Sequence, residues 1–154
     1  MILKLNHADE LVAQQIHNVF QRSYRIEADL VGVKVFPPLA RTIKDITLSI
    51  SLFYGLYEDK ELAGVIEIEY KGSTLDIHSL TVDPSFFRRG IAGKLIEYVM
   101  ASFSWEKAFV ETAAVNSPAI KLYKKFGFLI DKQWIPEHGI EKVAMSQARI
   151  NTTN

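Results

Sequence analysis

The sequence predicts an α/β fold with a mixed, mostly antiparallel central sheet of six to seven strands, flanked by helices. Three observations lead to this prediction. Three apolar stretches in the middle of the chain are separated only by short polar turns, which is typical of antiparallel hairpins. Stretches with a helical period lie on both sides of them. A strand, helix, strand order over about 75–115 then implies a parallel pair joined by a right-handed crossover.

The N-terminal elements follow from apolar spacing and from capping residues. Asn6 or Asp9 can cap the first helix, because a side-chain oxygen there accepts from free main-chain N–H groups. Glycine and proline interrupt the pattern after that helix and predict a loop. In chain order we expect a strand at 2–5, an amphipathic helix from about Leu11 to Tyr24, a loop over 31–38 and a short helix beginning near 42–45.

The remaining elements alternate between the two periods. Turns at 58–60 and 71–73 separate the hairpin strands, and the period becomes helical after Pro84. Helices on both faces of the sheet are therefore expected. The predicted elements are strands at 51–57, 62–70 and 75–82, a helix along 91–103, a strand at 109–115, a helix at 117–126 and strands at about 127–133 and 141–147.

Composition restricts the class of protein. The length of 154 residues suits one domain, predicted at 1–154. Eighteen Lys and Arg balance eighteen Asp and Glu, which argues against a nucleic-acid or membrane-surface partner. The absence of cysteine excludes disulfides, zinc–thiolate sites and a cysteine nucleophile. With no signal-peptide pattern and no membrane-length apolar run, we expect a cytoplasmic protein.

The segment from Leu80 to Gly93 carries the first chemical signal. A strand ends at Pro84, a loop follows, and a helix opens at Gly90. Free N–H groups and the helix dipole make such a turn an anion site, and small residues let a phosphate approach the main chain. Arg88 and Arg89 can neutralise charge at its rim. The spacing is neither a P-loop nor a dinucleotide fingerprint, and small residues at such a turn also serve packing alone.

The segment from Asn116 to Phe128 is a helix with its own start and stop signals. Asn116 or Ser117 can cap it, and Pro118 suits its first position. Gly127 suits the left-handed residue that ends a helix. Tyr123 lies on the apolar face, where it is either a core aromatic or a functional hydroxyl.

Together these segments resemble the GNAT family of N-acetyltransferases. The first is similar to the family pattern of a hydrophobic strand, V-x-P and then Q/R-x-x-G-x-G/A. Val82, Pro84, Gly90 and Ala92 occupy the expected positions, whereas Phe87 replaces the Q/R residue. The second is similar to N-x-x-A-x-x-L-Y-x-K-x-G-F almost position for position. The resemblance covers about 51–130, and the first 50 residues match only in their helical pattern.

The resemblance implies an acetyl-CoA-dependent transfer to a primary amine, without a metal. It implies that a main-chain N–H near Leu80 to Val82 polarises the thioester carbonyl. Asn116 then binds the pantetheine arm or positions its helix, and Tyr123 protonates the departing thiolate. Residues expected to contact acetyl-CoA are Leu80, Thr81, Val82, Phe87, Arg88, Arg89, Gly90, Ile91, Ala92, Gly93, Asn116, Ala119 and Tyr123.

A general base is less well defined by the sequence. An amine with a pKa near 10.4 is almost entirely protonated at pH 7, so a base or a water path to one is useful. His78 and Glu67 are the first candidates, ahead of Glu69 and Asp76. For each of them, an exposed or buried structural position is the alternative.

The acceptor pocket is expected between residues 24–39 and the C-terminal strands near 134–138. Phe36 and Trp134 are expected to form an apolar wall there. The acceptor is a small-molecule or peptide amine that the sequence does not identify, and a homodimer is compatible with the apolar C-terminal strands. The competing interpretations are a non-catalytic acyl-CoA-binding or sensing module of the same fold, and a structural domain that binds no coenzyme A.

Overall fold

Seven strands form one sheet in the order β1-β2-β3-β4-β5-β7-β6 in the computed structural model, which describes residues 1–149. The strands are β1 Ile2–Lys4, β2 Leu52–Glu58, β3 Glu61–Lys71, β4 Thr74–Val82, β5 Lys107–Ala113, β6 Leu129–Trp134 and β7 Lys142–Ala148. The helices are α1 Glu10–Val31, α2 Ile43–Thr47, α3 Ile91–Ser102 and α4 Ser117–Lys125, with short 3-10 turns at Pro37–Ala40 and Pro84–Phe86.

The sheet has the predicted mixed pairing. The β4–β5 pair is parallel, and the other five pairings are antiparallel. Helix α3 provides the crossover between β4 and β5, as expected for parallel neighbours. The predicted fold class and element order are confirmed.

The first helix is longer than its apolar pattern indicates. Asp9 caps it, since its carboxylate accepts from the N–H groups of Leu11 and Val12. The helix continues seven residues past Tyr24 and ends at Gly32, which has a left-handed conformation with φ of 81°. The added turns include Arg25, Glu27 and Asp29, which interrupt the apolar pattern, and four of their seven residues are exposed, so periodicity alone did not reveal them. They place residues 24–31 on a rigid helix beside the sheet.

The helices pack on opposite faces of the sheet, and each face has its own apolar core. Helices α1 and α2 pack on one face, where Phe20, Ile46 and Phe53 are fully buried. Helix α3 packs on the other face through residues that include Leu95, with Tyr123 of α4 in the same core. Thr42 and Asp45 form a reciprocal capping box at the start of α2, as the sequence predicts. Within residues 1–149, no helix combines the length and apolar character needed to cross a bilayer.

Strand β4 contains the irregularity that positions the site. Glu67 pairs with Ser79 and Ile68 pairs with Ile77, so His78 is an extra residue in β4, a β-bulge. The bulge moves His78 to the face opposite Leu80, whereas simple alternation predicted the same face. Pairing between β4 and β5 also stops at Ile77 and Val110. Beyond that point the two parallel strands separate.

Candidate active site

A cavity of about 260 Å³ lies where β4 and β5 separate. Its walls come from both strands, from α1, from α4 and from the loops after α1 and before β7. Beyond Ile77 the edge of β4 has no partner in β5, so main-chain groups there are available to a ligand. The lining residues are Tyr24, Glu27, Phe36, Pro37, Pro38, His78, Ser79, Leu80, Val110, Glu111, Thr112, Ala113, Asn116, Ala119, Tyr123, His138, Ile140 and Lys142.

The α4 wall of the cavity carries Tyr123, whose side chain is buried with 5% exposure. Its ring packs edge-on against Phe128, with ring centroids 5.7 Å apart. Burial raises the pKa of Tyr123, and the nearby Tyr24 and Glu27 add to that shift. The phenol therefore stays protonated near neutral pH and can donate a hydrogen bond into the cavity.

Asn116 uses both ends of its amide within the protein. Its Oδ1 accepts from the N–H of Ala119 at 3.3 Å and so caps α4. Its Nδ2 donates to Glu27 Oε1 on α1 at 3.2 Å. Of the two roles that the family resemblance implies, this arrangement favours positioning of the helix over direct contact with a cofactor.

Main-chain N–H groups are exposed to ligands at the start of α3. Residues 88–93 donate to no main-chain carbonyl within the described part of the chain, and no side chain caps the helix. Arg88 and Gly90 both have left-handed conformations, with φ of 67° and 72°. Alternation of left- and right-handed residues turns successive N–H groups toward one point, which creates an anion-binding concavity. The turn thus has the free N–H donors that the predicted anion site requires.

The side chains of this turn differ in their contacts and in their exposure. Arg89 NH1 lies 2.9 Å from Glu58 Oε2, and its guanidinium stacks over Phe86 at 5.1 Å. Arg89 is therefore held toward β2, whereas both arginines were expected at the rim. Arg88 forms no salt bridge within residues 1–149. Phe87, at the Q/R position of the family pattern, is 44% exposed.

Close packing brings the α3 turn to the sheet and to α4. A Cβ on Gly64 would stand 2.7 Å from Ile91 Cγ2, a distance that side chains do not adopt. A Cβ on Gly93 would stand 3.5 Å from the Phe126 ring, an ordinary contact. Gly64 thus lets the first turn of α3 lie directly on β3, and the sequence-based search did not identify it. A glycine inside an apolar strand was the available signal.

Glu67 lies outside the cavity, in a buried ion pair. Its two carboxylate oxygens are 2.6 and 2.9 Å from the Arg41 guanidinium, and Ser79 Oγ donates to it at 3.0 Å. Burial acts to raise its pKa, but the hydrogen bonds and charge of Arg41 hold the pKa below its ordinary value. A carboxylate so occupied is a weak proton acceptor. The prediction of Glu67 as a direct base is not supported by this geometry.

His78 lines the cavity, as a base candidate must. Its Nε2 lies 3.2 Å from Glu69 Oε2, and the histidine side chain is 43% exposed. Asp76 and His78 also border a second cavity, which is lined by residues of β4, β5, β6 and β7. Burial raises the pKa of Asp76. Of the four predicted acids and bases, His78 is the one that the cavity wall includes.

The predicted apolar wall is half correct. Phe36 lines the cavity beside Tyr24, with ring centroids 6.0 Å apart. Trp134 does not line it: the indole instead contacts Lys132, whose Nζ lies 4.6 Å from the ring centroid. The tryptophan is on the outer strand β6, which β7 separates from β5.

Three charged residues of the cavity were not singled out as site residues by sequence reasoning. Glu27 lies in the part of α1 that the apolar pattern missed, and Glu111 and Lys142 lie on β5 and β7. Lys142 Nζ is 3.8 Å from Glu111 Oε1. Glu111 lies five residues before Asn116, on the strand that leads to the segment from Asn116 to Phe128. That position was the sequence signal from which Glu111 could have been identified. No group of three or more metal-binding side chains occurs within residues 1–149.

Comparisons with known proteins agree with this geometry. Residues 13–128 match the sequence model described as the Acetyltransferase (GNAT) family. The chain is 36% identical over 129 residues to the UPF0157 protein YqkA of Bacillus subtilis (strain 168), covering 83% of this chain and 38% of YqkA. It is 27% identical over 113 residues to the N-alpha-acetyltransferase RimI of Mycobacterium tuberculosis, covering 70% of this chain and 71% of RimI. The chain thus spans well under half the length of YqkA.

Solved structures share the fold at low identity. The PaiA N-acetyltransferase of Thermoplasma acidophilum, in complex with coenzyme A, has a TM-score of 0.78 at 17% identity, covering 97% of this chain and 98% of that one. The ribosomal-protein-S18-alanine N-acetyltransferase of Escherichia coli has a TM-score of 0.72 at 16% identity, covering 100% and 97%. An aminoglycoside 6'-acetyltransferase of type Ii has a TM-score of 0.74 at 16% identity, covering 99% of both chains.

Proposed function

Because the chain belongs to the GNAT acetyltransferase family, we propose that it transfers the acetyl group of acetyl-CoA to a primary amine by direct attack in a ternary complex. Four of the proteins named above are acetyltransferases by name: an N-alpha-acetyltransferase, a ribosomal-protein-S18-alanine N-acetyltransferase, an N-acetyltransferase in complex with coenzyme A and an aminoglycoside 6'-acetyltransferase. The acceptor proposed for this chain is a small-molecule or peptide amine. Acetyl-CoA is the acetyl donor in this proposal, and no step uses a metal.

The anion-binding turn is the observation that carries the proposal. A diphosphate needs several N–H donors at one point, and residues 88–93 offer such a set at the start of α3. The same turn packs against α4, whose Tyr123 lines the cavity. A molecule with a diphosphate at one end and a reactive group at the other can therefore bind the turn and reach the cavity. Acetyl-CoA has that form.

The chemistry assigned to the residues is positioning and proton transfer. Main-chain N–H groups on the unpaired edge of β4, near Leu80, are proposed to polarise the thioester carbonyl. His78 is proposed to take the proton of the attacking amine, directly or through water. Tyr123 is proposed to donate a hydrogen bond to the departing sulfur. Holding amine and thioester in one cavity supplies several kcal/mol toward the reaction.

Thermal unfolding with and without acetyl-CoA tests the binding half of the proposal. A ligand at about 100 times its dissociation constant adds about 2.7 kcal/mol to the free energy of unfolding, which raises Tm by roughly 2–8 °C in a domain of this size. ATP and NADH are the controls, because each carries a diphosphate without the pantetheine arm. A shift with ATP or NADH but not with acetyl-CoA would contradict the proposal.

Release of free thiol in the presence of amines tests the catalytic half. Amine-dependent thiol release together with an acetylated amine product supports the transferase. Binding of acetyl-CoA without turnover over a broad amine panel favours the alternative, a non-catalytic acyl-CoA-binding or sensing module. Arg88 and the glycines of the turn would be needed for binding in both the transferase and the non-catalytic module. The hydroxyl of Tyr123 would be needed only in the transferase.

A further inference from the structure

Two carboxylates of the cavity, Glu27 and Glu111, have no role in the reaction above, and Glu27 is the one that forms no ion pair with Lys142. It lies on α1 three residues after Tyr24, so both side chains project from one face of the helix toward the cavity. Its Oε1 accepts from Asn116 Nδ2 at 3.2 Å. Its Oε2 accepts from no other residue within the described part of the chain. One carboxylate oxygen is thus held in place and the other is available.

No cation within residues 1–149 forms a salt bridge with Glu27. The Lys142 ammonium acts on it electrostatically but makes its ion pair with Glu111 at 3.8 Å. Burial raises the pKa of Glu27, while the Asn116 hydrogen bond and Lys142 act to lower it. A partly buried carboxylate without a cation is costly. A cationic ligand would remove that cost.

The surroundings of Glu27 define what such a ligand carries besides its charge. Tyr24 and Phe36 provide two packed aromatic rings, and Pro37 and Pro38 extend the same wall. The two histidines of the cavity, His78 and His138, lie among these walls. An apolar body fits against the rings and prolines. A second carboxylate beside the amine would meet Glu27 and be repelled.

We propose that Glu27 binds the ammonium group of the incoming acceptor, and that the acceptor is a primary amine on an uncharged, largely apolar body. Free amino acids, which carry a carboxylate next to the amine, are disfavoured. The inference rests on the proposed acetyl transfer and specifies its acceptor class. The same chemistry occurs in small alkyl or aryl amines and at the N-terminus of a peptide.

Three acceptors that share a phenethyl group test the proposed class of acceptor. Phenethylamine has the amine alone, phenylalaninamide adds an uncharged amide that imitates a peptide N-terminus, and phenylalanine adds a carboxylate. We expect kcat/KM to be at least about tenfold lower for phenylalanine than for the better of the other two, since its carboxylate would lie beside that of Glu27 and a like-charge contact of this kind costs a factor of about ten or more. The ratio between phenethylamine and phenylalaninamide distinguishes a small amine from a peptide N-terminus.

The Glu27→Gln variant tests the residue. Glutamine keeps the shape and an oxygen for Asn116 Nδ2 but removes the charge. We expect KM for the preferred amine to rise about ten- to a hundred-fold, with kcat at saturation and the Kd of acetyl-CoA nearly unchanged, and with less discrimination against phenylalanine. Asp29→Asn, which removes an exposed charge two residues away on the same helix, is the control and should behave as the wild type.

The measurements distinguish failure of the proposed acetyl transfer from failure of the proposed acceptor class and of the role of Glu27. If acetyl-CoA produces no thermal shift, the proposed function fails. If acetyl-CoA binds but the wild type prefers phenylalanine, or acetylates none of the three amines, the acceptor class is wrong while cofactor binding stands. If Glu27→Gln lowers kcat and acetyl-CoA affinity together without changing selectivity, Glu27 acts only through Asn116 and α4, and the inference is overturned.

Discussion

Gly64 on β3 lies directly beneath Ile91, the first residue of α3, with room for no side chain between them. A Cβ at position 64 would come within 2.7 Å of Ile91 Cγ2 and within 3.2 Å of the Thr81 carbonyl oxygen. Because position 64 has no side chain, the main-chain N–H donors at the start of α3 can lie directly against the sheet.

The variant Gly64→Ala should displace this helix start. We expect a loss of about 1–3 kcal/mol in the free energy of unfolding, typical of overpacking, and weaker acetyl-CoA binding by isothermal titration. Gly93→Ala is the stability control, because its Cβ would make an ordinary contact at 3.5 Å from Phe126. Equal unfolding free energies for the wild type and Gly64→Ala would show that the helix start is not constrained there.

The variant Tyr123→Phe should lower kcat while leaving acetyl-CoA affinity unchanged. Phenylalanine retains the packing against Phe128 and removes only the donor to the departing sulfur. Since a thiol with a pKa near 8.5 leaves without full protonation, we expect a loss of roughly ten- to a hundred-fold, at or below the usual range for an acid. Tyr98→Phe on α3 is the matched control. An unchanged kcat in rapid-mixing measurements would remove Tyr123 from the reaction.

The variant Glu67→Gln should act mainly on stability. It leaves the Arg41 guanidinium, 27% exposed, without its buried partner, and we expect a loss of about 2–4 kcal/mol in denaturant unfolding at pH 7. The effect should depend on pH. Because the folded-state pKa of Glu67 is below its ordinary value of 4.5, its contribution is complete above that pH and disappears as pH falls through the lower value.

The difference between wild type and Glu67→Gln should accordingly shrink between pH 7 and pH 3. Glu61→Gln, an exposed residue at the start of the same strand, should change stability by no more than about 0.5 kcal/mol. A different result would support Glu67 as the base: the variant keeps the stability of the wild type, its kcat is much lower at pH 7, and kcat recovers at high pH.

The variant His78→Gln should slow acetyl transfer more at pH 7 than at pH 9. An acceptor amine becomes neutral without assistance as pH approaches its own pKa near 10.4, so a base matters less there. The wild-type to variant ratio of kcat/KM should fall several-fold across that interval. His17→Gln on α1 is the control. A ratio that does not change with pH would assign His78 a structural role, with Glu69 as its partner.

Local rules in the sequence predicted most of the fold. Short turns and alternation predicted the three central strands, and the capping box at Thr42 and the proline after Asn116 marked two helix starts. These signals depend on neighbouring residues alone. The end of α1 was missed because Arg25, Glu27 and Asp29 interrupt the apolar residues of its last two turns, although Tyr24, Ala28 and Val31 pack together at helical spacing.

The site was harder to predict because it depends on contacts between distant segments. Glu27 and Asn116, separated by 89 positions, meet only in the fold. The bulge at His78, by contrast, did leave a signal: apolar residues alternate through Leu75 and Ile77 and resume at Leu80 and Val82, a shift of one position. Trp134 was wrongly assigned to the cavity because sequence proximity to His138 does not reveal which side of β6 it occupies.

The short pairing between β4 and β5 divides the sheet into two units. Four residue pairs, from Thr74–Lys107 to Ile77–Val110, are the whole parallel ladder between the β1–β4 and β5–β7 halves in the described residues. A change in the angle between the two halves changes the width of the cavity. Amide hydrogen exchange should be slow at the four paired positions and faster at those amides of residues 78–82 and 111–113 that point into the gap, since β3 and β7 pair with the other edges of these strands. A ligand that contacts both β4 and β5 across the gap should restrain the two halves and slow exchange there.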